Sequence, residues 1–273
     1  MDTAPLSGVG ATSLGVARAR AWESRRPDRL FDDPYAAAFA AAAARKVSST
    51  GTRAPVSPER ARLAFHVIIR TRFYDDFLLS ACTAGCRQVV LLAAGLDTRA
   101  YRLPWPPGVR LYELDLPEVL AFKDNVLTGE GARPRCTRTA LEADLRDDWP
   151  QRLTGAGFDP SAPTTWLVEG LLVYLTAEEA ATVLTRVGEL SAPGSRISLE
   201  RHNAASIIAE RDREGIAEYA SLWKGGLGQD TADWLDRHGW RTELHALADV
   251  AASYDRPIPD ASLSGFLTAT RGA

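Results

Sequence analysis

The chain is poor in several residue types, and each shortage removes a class of explanation. Lysine occurs only at Lys46, Lys123 and Lys224, so arginine carries nearly all the positive charge. With the alanine-rich runs, this reads as the base composition of the gene and not as a functional device. The formal net charge of -3 leaves no basic excess to capture nucleic acid or an anionic membrane. Cysteine is limited to Cys82, Cys86 and Cys136, an odd and sparse set with no companion Cys/His pair at metal-ligand spacing. Free thiols in a reducing compartment are expected, and a structural zinc site is not. No stretch reaches the roughly 20 apolar residues of a membrane span. Residues 1–15 hold neither a basic n-region nor an apolar h-region, so no secretory leader is visible. The expectation is a cytoplasmic protein, monomer or homodimer, with a small-molecule substrate and no nucleic-acid or membrane partner.

What is present suits a single large domain. A chain of 273 residues with 45% hydrophobic and 25% charged residues can bury a sizeable core. Residues 1–12 are small and polar and predict a frayed arm. Helical patterns follow over 14–26, over an alanine-rich run opened by Asp33-Pro34-Tyr35 and ending at Lys46, and from Ser57-Pro58-Glu59 to about Ala84. Residues 47–56 predict a loop. The pattern then changes to short apolar runs at 88–93, 109–114, 136–140, 165–169 and 196–200, alternating with helical segments. Such alternation predicts right-handed βαβ units and a parallel sheet. Residues 204–223 read as a polar helix, 230–238 as another, and 241–246 and 264–270 as two late strands. Together these predict seven strands with one antiparallel edge. Residues 1–84 are expected to form a helical cap, and 85–273 the ligand-binding core of the same domain.

In open α/β sheets, ligands sit beyond the carboxyl ends of the strands, where strand order reverses. The loop after the first strand reads Ala93-Ala94-Gly95-Leu96-Asp97-Thr98-Arg99. Gly95 permits close backbone approach to a ligand, but the loop lacks the further glycines that admit a dinucleotide pyrophosphate. Asp115 closes the second strand and can accept two hydrogen bonds from a ribose diol. That geometry serves an NAD-dependent oxidoreductase as well as an S-adenosylmethionine enzyme. Asp144 follows the third strand, where it can accept from an adenine amino group while Leu145 packs on the base. Glu169 ends the fourth strand, beside the place a sulfonium would occupy. Acidic residues at three successive strand ends, joined to a one-glycine loop, favour the sulfonium donor.

The segments LLAAGLDTRAYRL at 91–103, YELDLPEVLAFK at 112–123, ADLRDDW at 143–149 and WLVEGLLVYLT at 166–176 resemble the leucine carboxyl methyltransferase family. The resemblance is to its bacterial branch of small-molecule, polyketide-type O-methyltransferases; residues 18–35 and Arg70-Thr71-Arg72 also fit that pattern. It spans roughly residues 15–200 and fades beyond Glu200. It implies a class I methyltransferase, Rossmann-like fold and S-adenosylmethionine as cofactor. It also implies Arg72 on the donor's carboxylate, Gly95 under its amino-acid moiety, Asp115 on the ribose, Asp144 and Leu145 around the adenine, and Glu169 near the amino group. The family's loop usually reads Gly-Ala-Gly, and here Ala93 replaces the first glycine. The eukaryotic branch carries a lysine before its N-terminal Asp-Pro-Tyr where this chain has Asp32, which weakens any transfer of its protein substrate.

Methyl transfer from a sulfonium is an in-line displacement driven largely by positioning. A carboxylate acceptor needs no base, whereas a phenol gains from one with a pKa near 7. His202, just past the fifth strand, is the candidate base, and Tyr174 is a candidate hydrogen-bond donor to the acceptor. His66, on the third helix, is placed where it could face substrate. The expected function is O-methyl transfer to a small carboxylic acid or phenol, in natural-product biosynthesis. The alternatives are a catalytically inactive donor-binding protein in a biosynthetic complex and an NAD-dependent oxidoreductase.

Overall fold

The computed structural model describes residues 6, 8–46, 57–202, 221–258 and 264–272. Seven strands form one sheet: β1 (Gln88–Leu92), β2 (Arg110–Asp115), β3 (Thr137–Glu142), β4 (Thr164–Val168), β5 (Arg196–His202), β6 (Trp240–Ala246) and β7 (Ser264–Arg271). Their order is β3-β2-β1-β4-β5-β7-β6. The first five strands pair in parallel, and β7 runs antiparallel to both β5 and β6. The antiparallel strand is therefore not the edge, as the sequence predicts, but the second strand in. It is inserted between β5 and β6, and β6 takes the edge.

The central strands β1 and β4 are buried along their whole length, which explains why they read as continuous apolar runs without alternation. Their side chains nevertheless alternate between two cores. Val90, Leu92, Tyr112, Leu114, Trp166 and Val168 face one side, packed with Trp149 and Phe158. Val89, Leu91, Leu111 and Leu167 face the other. Helices α6 (Trp149–Gly155), α7 (Ala177–Glu189) and α8 (Thr231–Arg237) contribute to the first core. The second core is covered by α1 (Gly8–Glu23), α2 (Ala36–Lys46), α3 (Pro58–Thr83), α5 (Pro117–Gly129) and α9 (Leu247–Ser253), with a short α4 (Arg99–Arg102) after β1.

Local chemistry sets several of these boundaries. Ser57 accepts a hydrogen bond from the Arg60 N–H, and Pro58 follows it at the first helical position of α3. Thr176 and Glu179 form a reciprocal capping box at the start of α7. Helix α1 begins at Gly8, inside the segment expected to fray. Its first turn rests on α5, where a Cβ added to Gly10 would stand 3.2 Å from Val119. Packing supplies what a short polar helix end lacks by itself. Helix α9 was not anticipated from the sequence. The predicted loop at 47–56 and most of the predicted helix at 204–223 lie outside the described residues.

The second core also holds charge. Lys123 of α5 and Glu113 of β2 are both fully buried, with Nζ 2.7 Å from Oε2, and Arg138 donates to the same oxygen. A buried charge stripped of a partner costs far more than the intact group contributes. Replacement of Lys123 by Met is expected to destabilise the fold by about 3 kcal/mol, measured by urea unfolding. A loss within error of zero would contradict this.

Candidate active site

Strand parity determines what faces the second core at the carboxyl edge. Asp115 continues the Leu111–Glu113 face of β2, Glu169 continues the Leu167 face of β4, and Glu200 of β5 stands opposite Phe266, which belongs to the second core. All three carboxylates thus lie on the side that α1 and α3 cover. Between β1 and β4, whose connections leave in opposite directions, is the switch point of the sheet.

Arg99, only 1% exposed, is the centre of this edge. Its Nε lies 2.7 Å from Asp75 of α3, and its Nη1 lies 2.7 Å from Glu169 and also pairs with Asp97. Burial would lower its pKa, but Asp97, Glu169 and Asp75 more than offset this and hold it well above the ordinary value. Arg102 binds both oxygens of Asp75 at 2.6 and 2.7 Å. Arg70 of α3 is also buried, with Nε 2.9 Å from Glu169 and Nη1 paired with Glu200. Glu200 in turn accepts the Gly170 N–H. Helix α1 enters through Arg20, which pairs with Asp33 at 3.0 Å and donates to the Leu96 carbonyl. Asp33 also accepts from Thr98 at 2.8 Å.

On the other side of the β1 loop, Asp115 accepts the Gly95 N–H at 2.6 Å and the Leu116 N–H at 2.7 Å. These bonds leave lone pairs on both oxygens. Burial nonetheless pushes its pKa above the ordinary carboxylate value. Gly95 has φ +51, and a Cβ there would sit 3.5 Å from Ser13 of α1, so the helix lies over this loop. Ala93 holds φ +53, a left-handed conformation that costs a non-glycine residue about 1 kcal/mol. The turn thus keeps the shape of a glycine turn without the first glycine.

Asp144 lies just beyond β3, and its carboxylate is held by Arg146 with Nε–oxygen distances of 2.9 and 3.1 Å. That pairing lowers its pKa. Leu145 is buried in the first core. Tyr174 sits in a 3-10 turn at Leu172–Tyr174, and its hydroxyl donates to Thr12 of α1 at 3.4 Å. His202 is the last residue of β5, paired with Ser264; its side chain lies outside the description. His66 is half-buried on α3, 5.8 Å from the Phe266 ring.

One expectation is corrected by this geometry. Arg72 does not reach the strand ends. Its guanidinium is held by Asp76 at 2.9 Å and the Leu30 carbonyl at 2.9 Å, beside the Tyr254 ring. Residues two apart on a helix point to opposite sides, so Arg70 faces the sheet and Arg72 faces away. Glu169 is also not a lone carboxylate, since each of its oxygens already meets a guanidinium. Arg70, Arg99 and Glu200 went unnamed as site residues in the sequence. In the sequence Glu200 ends the apolar run at 196–200 as Glu169 ends the run at 165–169, and that repetition was the available signal.

The edge offers a cation, carboxylates, a bare backbone turn and a ribose-type acceptor in one line, which fits the parts of S-adenosylmethionine. The sheet order is that of class I methyltransferases, and two solved structures share the fold. One is a DUF574-family protein of Streptomyces avermitilis (TM-score 0.60, 17% identity, 94% of this chain and 97% of that one). The other is a provisionally named methyltransferase of Thermobifida fusca (TM-score 0.57, 18% identity, 93% and 94%). The leucine carboxyl methyltransferase family model matches residues 13–188. A Frankia alni protein, provisionally named an S-adenosyl-L-methionine-dependent methyltransferase, is 50% identical across 97% of this chain and 95% of its own length. The chain belongs to the leucine carboxyl methyltransferase family, and its methyl donor is S-adenosylmethionine.

Asp97 gives the network a measurable pH signature. Burial alone would raise its pKa, but Arg99, Lys123, Arg20 and Arg102 bring it down to about 2 from 3.8. A depressed carboxylate stabilises the fold fully above the unfolded value, and that stability is lost as pH falls through the folded one. Asp97 is therefore expected to contribute about 2 kcal/mol above pH 4, fading towards pH 2. Urea unfolding of wild type and Asp97→Asn across that range should show the two curves converging on acidification. Parallel curves would contradict the assignment.

Proposed function

We propose that the protein transfers a methyl group to an oxygen of a small-molecule acceptor, a carboxylate or a phenol. The observation that carries the reading is the alignment of Arg70 and Glu169, the Gly95 turn and Asp115 along one edge of the sheet at the switch point. In this reading Arg70, in place of Arg72, holds the donor's carboxylate by a planar two-pronged contact. Glu169 receives the donor's ammonium, Gly95 lets the backbone pass close to it, and Asp115 accepts the ribose hydroxyls. Asp144 and Leu145 flank the adenine. When bound, the donor supplies an electrophilic methyl on its sulfonium.

The protein's own share of catalysis is alignment and exclusion of water. Helix α1 closes over the β1 loop through Ser13 and meets Tyr174 through Thr12. Tyr174 is the residue proposed to orient the acceptor from that side, and His202 at the end of β5 the one proposed to take a proton from a phenol. A carboxylate acceptor arrives ionised and needs neither. Membership of a carboxyl methyltransferase family favours the carboxylate. The left-handed Ala93 favours a second reading, a protein that binds the donor without turnover.

Titration calorimetry with S-adenosylmethionine and S-adenosylhomocysteine tests the donor half. Both are expected to bind, and Asp115→Ala is expected to weaken each by about tenfold to a hundredfold. Because burial raises the Asp115 pKa, affinity should fall on acidification earlier than an ordinary aspartate would dictate. No heat with either ligand at millimolar concentration would overturn the reading. Transfer of labelled methyl to a panel of carboxylic acids and phenols tests the acceptor half. Tight binding with no labelled product would favour the second reading.

A further inference from the structure

We propose that Glu200 is a positioning residue that holds Arg70 and the Gly170 amide in register, building the seat for the donor's amino-acid end. The proposal rests on the donor reading above and assigns a carboxylate of the edge that the reading does not use. Glu200 is 6% exposed in β5, two residues before the strand ends at His202. One oxygen accepts from Arg70 Nη1 and the other accepts the Gly170 N–H. It therefore ties together three segments separated in the sequence: α3, the turn after β4, and β5. Gly170 has φ +64, and a Cβ there would stand 3.7 Å from Arg70 Nη1, so the guanidinium lies close over bare backbone.

The chemistry demands a carboxylate of this length. Only a carboxylate accepts at both ends; a glutamine amide offers one acceptor and turns the other contact into donor against donor. An aspartate falls one methylene short of spanning both. Arg70 would otherwise be anchored by Glu169 alone, and Glu169 must be free to exchange one guanidinium contact for the donor's ammonium. With Glu200 in place, Arg70 keeps a partner through that exchange and its orientation survives it. Arg99 does the same for Glu169 through the 2.7 Å contact. Donor binding then swaps ionic partners between matched groups and strands no buried charge.

The test compares two ligands that differ only at the amino-acid end. S-adenosylhomocysteine carries that end, and 5′-methylthioadenosine lacks it. Calorimetry on the full-length wild type, Glu200→Gln, Arg70→Gln and the double variant is expected to show Glu200→Gln weakening S-adenosylhomocysteine by about tenfold to a hundredfold. Methylthioadenosine affinity should change less than about threefold. In the Arg70→Gln background, which is itself weakened, the Glu200 change should add nothing, the mark of a residue acting through its neighbour. Equal losses for both ligands, an unchanged Glu200→Gln, an unweakened Arg70→Gln, or additive effects in the double variant would overturn the proposal. If Glu200→Gln does not fold, Glu200→Asp is measured in its place against the same criteria. A wild type that binds neither ligand would instead sink the donor reading.

Discussion

A single guanidinium, Arg99, reaches three carboxylates that belong to three different parts of the chain: Asp75 on α3, Asp97 in the loop after β1 and Glu169 at the end of β4. At 1% exposure, the Arg99 guanidinium cannot turn to water if one partner is lost. The arrangement is therefore close to all-or-none. Its neighbours extend it to Arg70 and Glu200 on one side, and to Arg102 on the other. Asp33 and Arg20 add a second tie between the β1 loop and α1. Buried ion pairs contribute little net stability against apolar residues of the same size. What this network contributes is orientation: the N-terminal helices can sit on the carboxyl edge of the sheet in one way.

That constraint shapes the site. A zwitterionic ligand end entering a dry crevice must find a cation and an anion already paired, or it pays for desolvating both. The Arg70–Glu169–Arg99 chain offers such a pair, each member with a second partner to fall back on. The Gly95 turn and Asp115 continue the line from that pair. The turn is held in shape by the Asp115 carboxylate itself, through the Gly95 N–H. The group proposed to receive the ribose thus also fixes the loop under the amino-acid end. Ala93, left-handed at φ +53, is the one place where the chain carries strain to keep that shape.

Much of this was legible in the sequence. The buried strands declared themselves as unbroken apolar runs, and Asp115 and Glu169, read as strand-end carboxylates, stand at the carboxyl edge of the sheet. The glycine-poor turn argued against a dinucleotide. Three things were not legible, for different reasons. The choice between Arg70 and Arg72 depends on the rotation of α3 about its axis, which an amphipathic pattern with charge on both faces does not resolve. The role of Arg99 depends on contacts 24 and 70 residues away, which no local rule encodes. The insertion of β7 inside β6 is a topological choice, and both strands read alike as late apolar runs. The family resemblance supplied the donor from the order of motifs, where the position of Asp115 alone left NAD open.

The central claim is that the ionic edge is a seat built for the donor before the donor arrives. A crystal structure with S-adenosylhomocysteine bound tests it most directly. The account predicts its carboxylate on Arg70, its ammonium at Glu169, its ribose hydroxyls on Asp115, and Arg99 still joined to Asp75 and Asp97. A ligand bound away from Arg70 and Asp115, or a crevice in which Arg99 has changed partners, would contradict it.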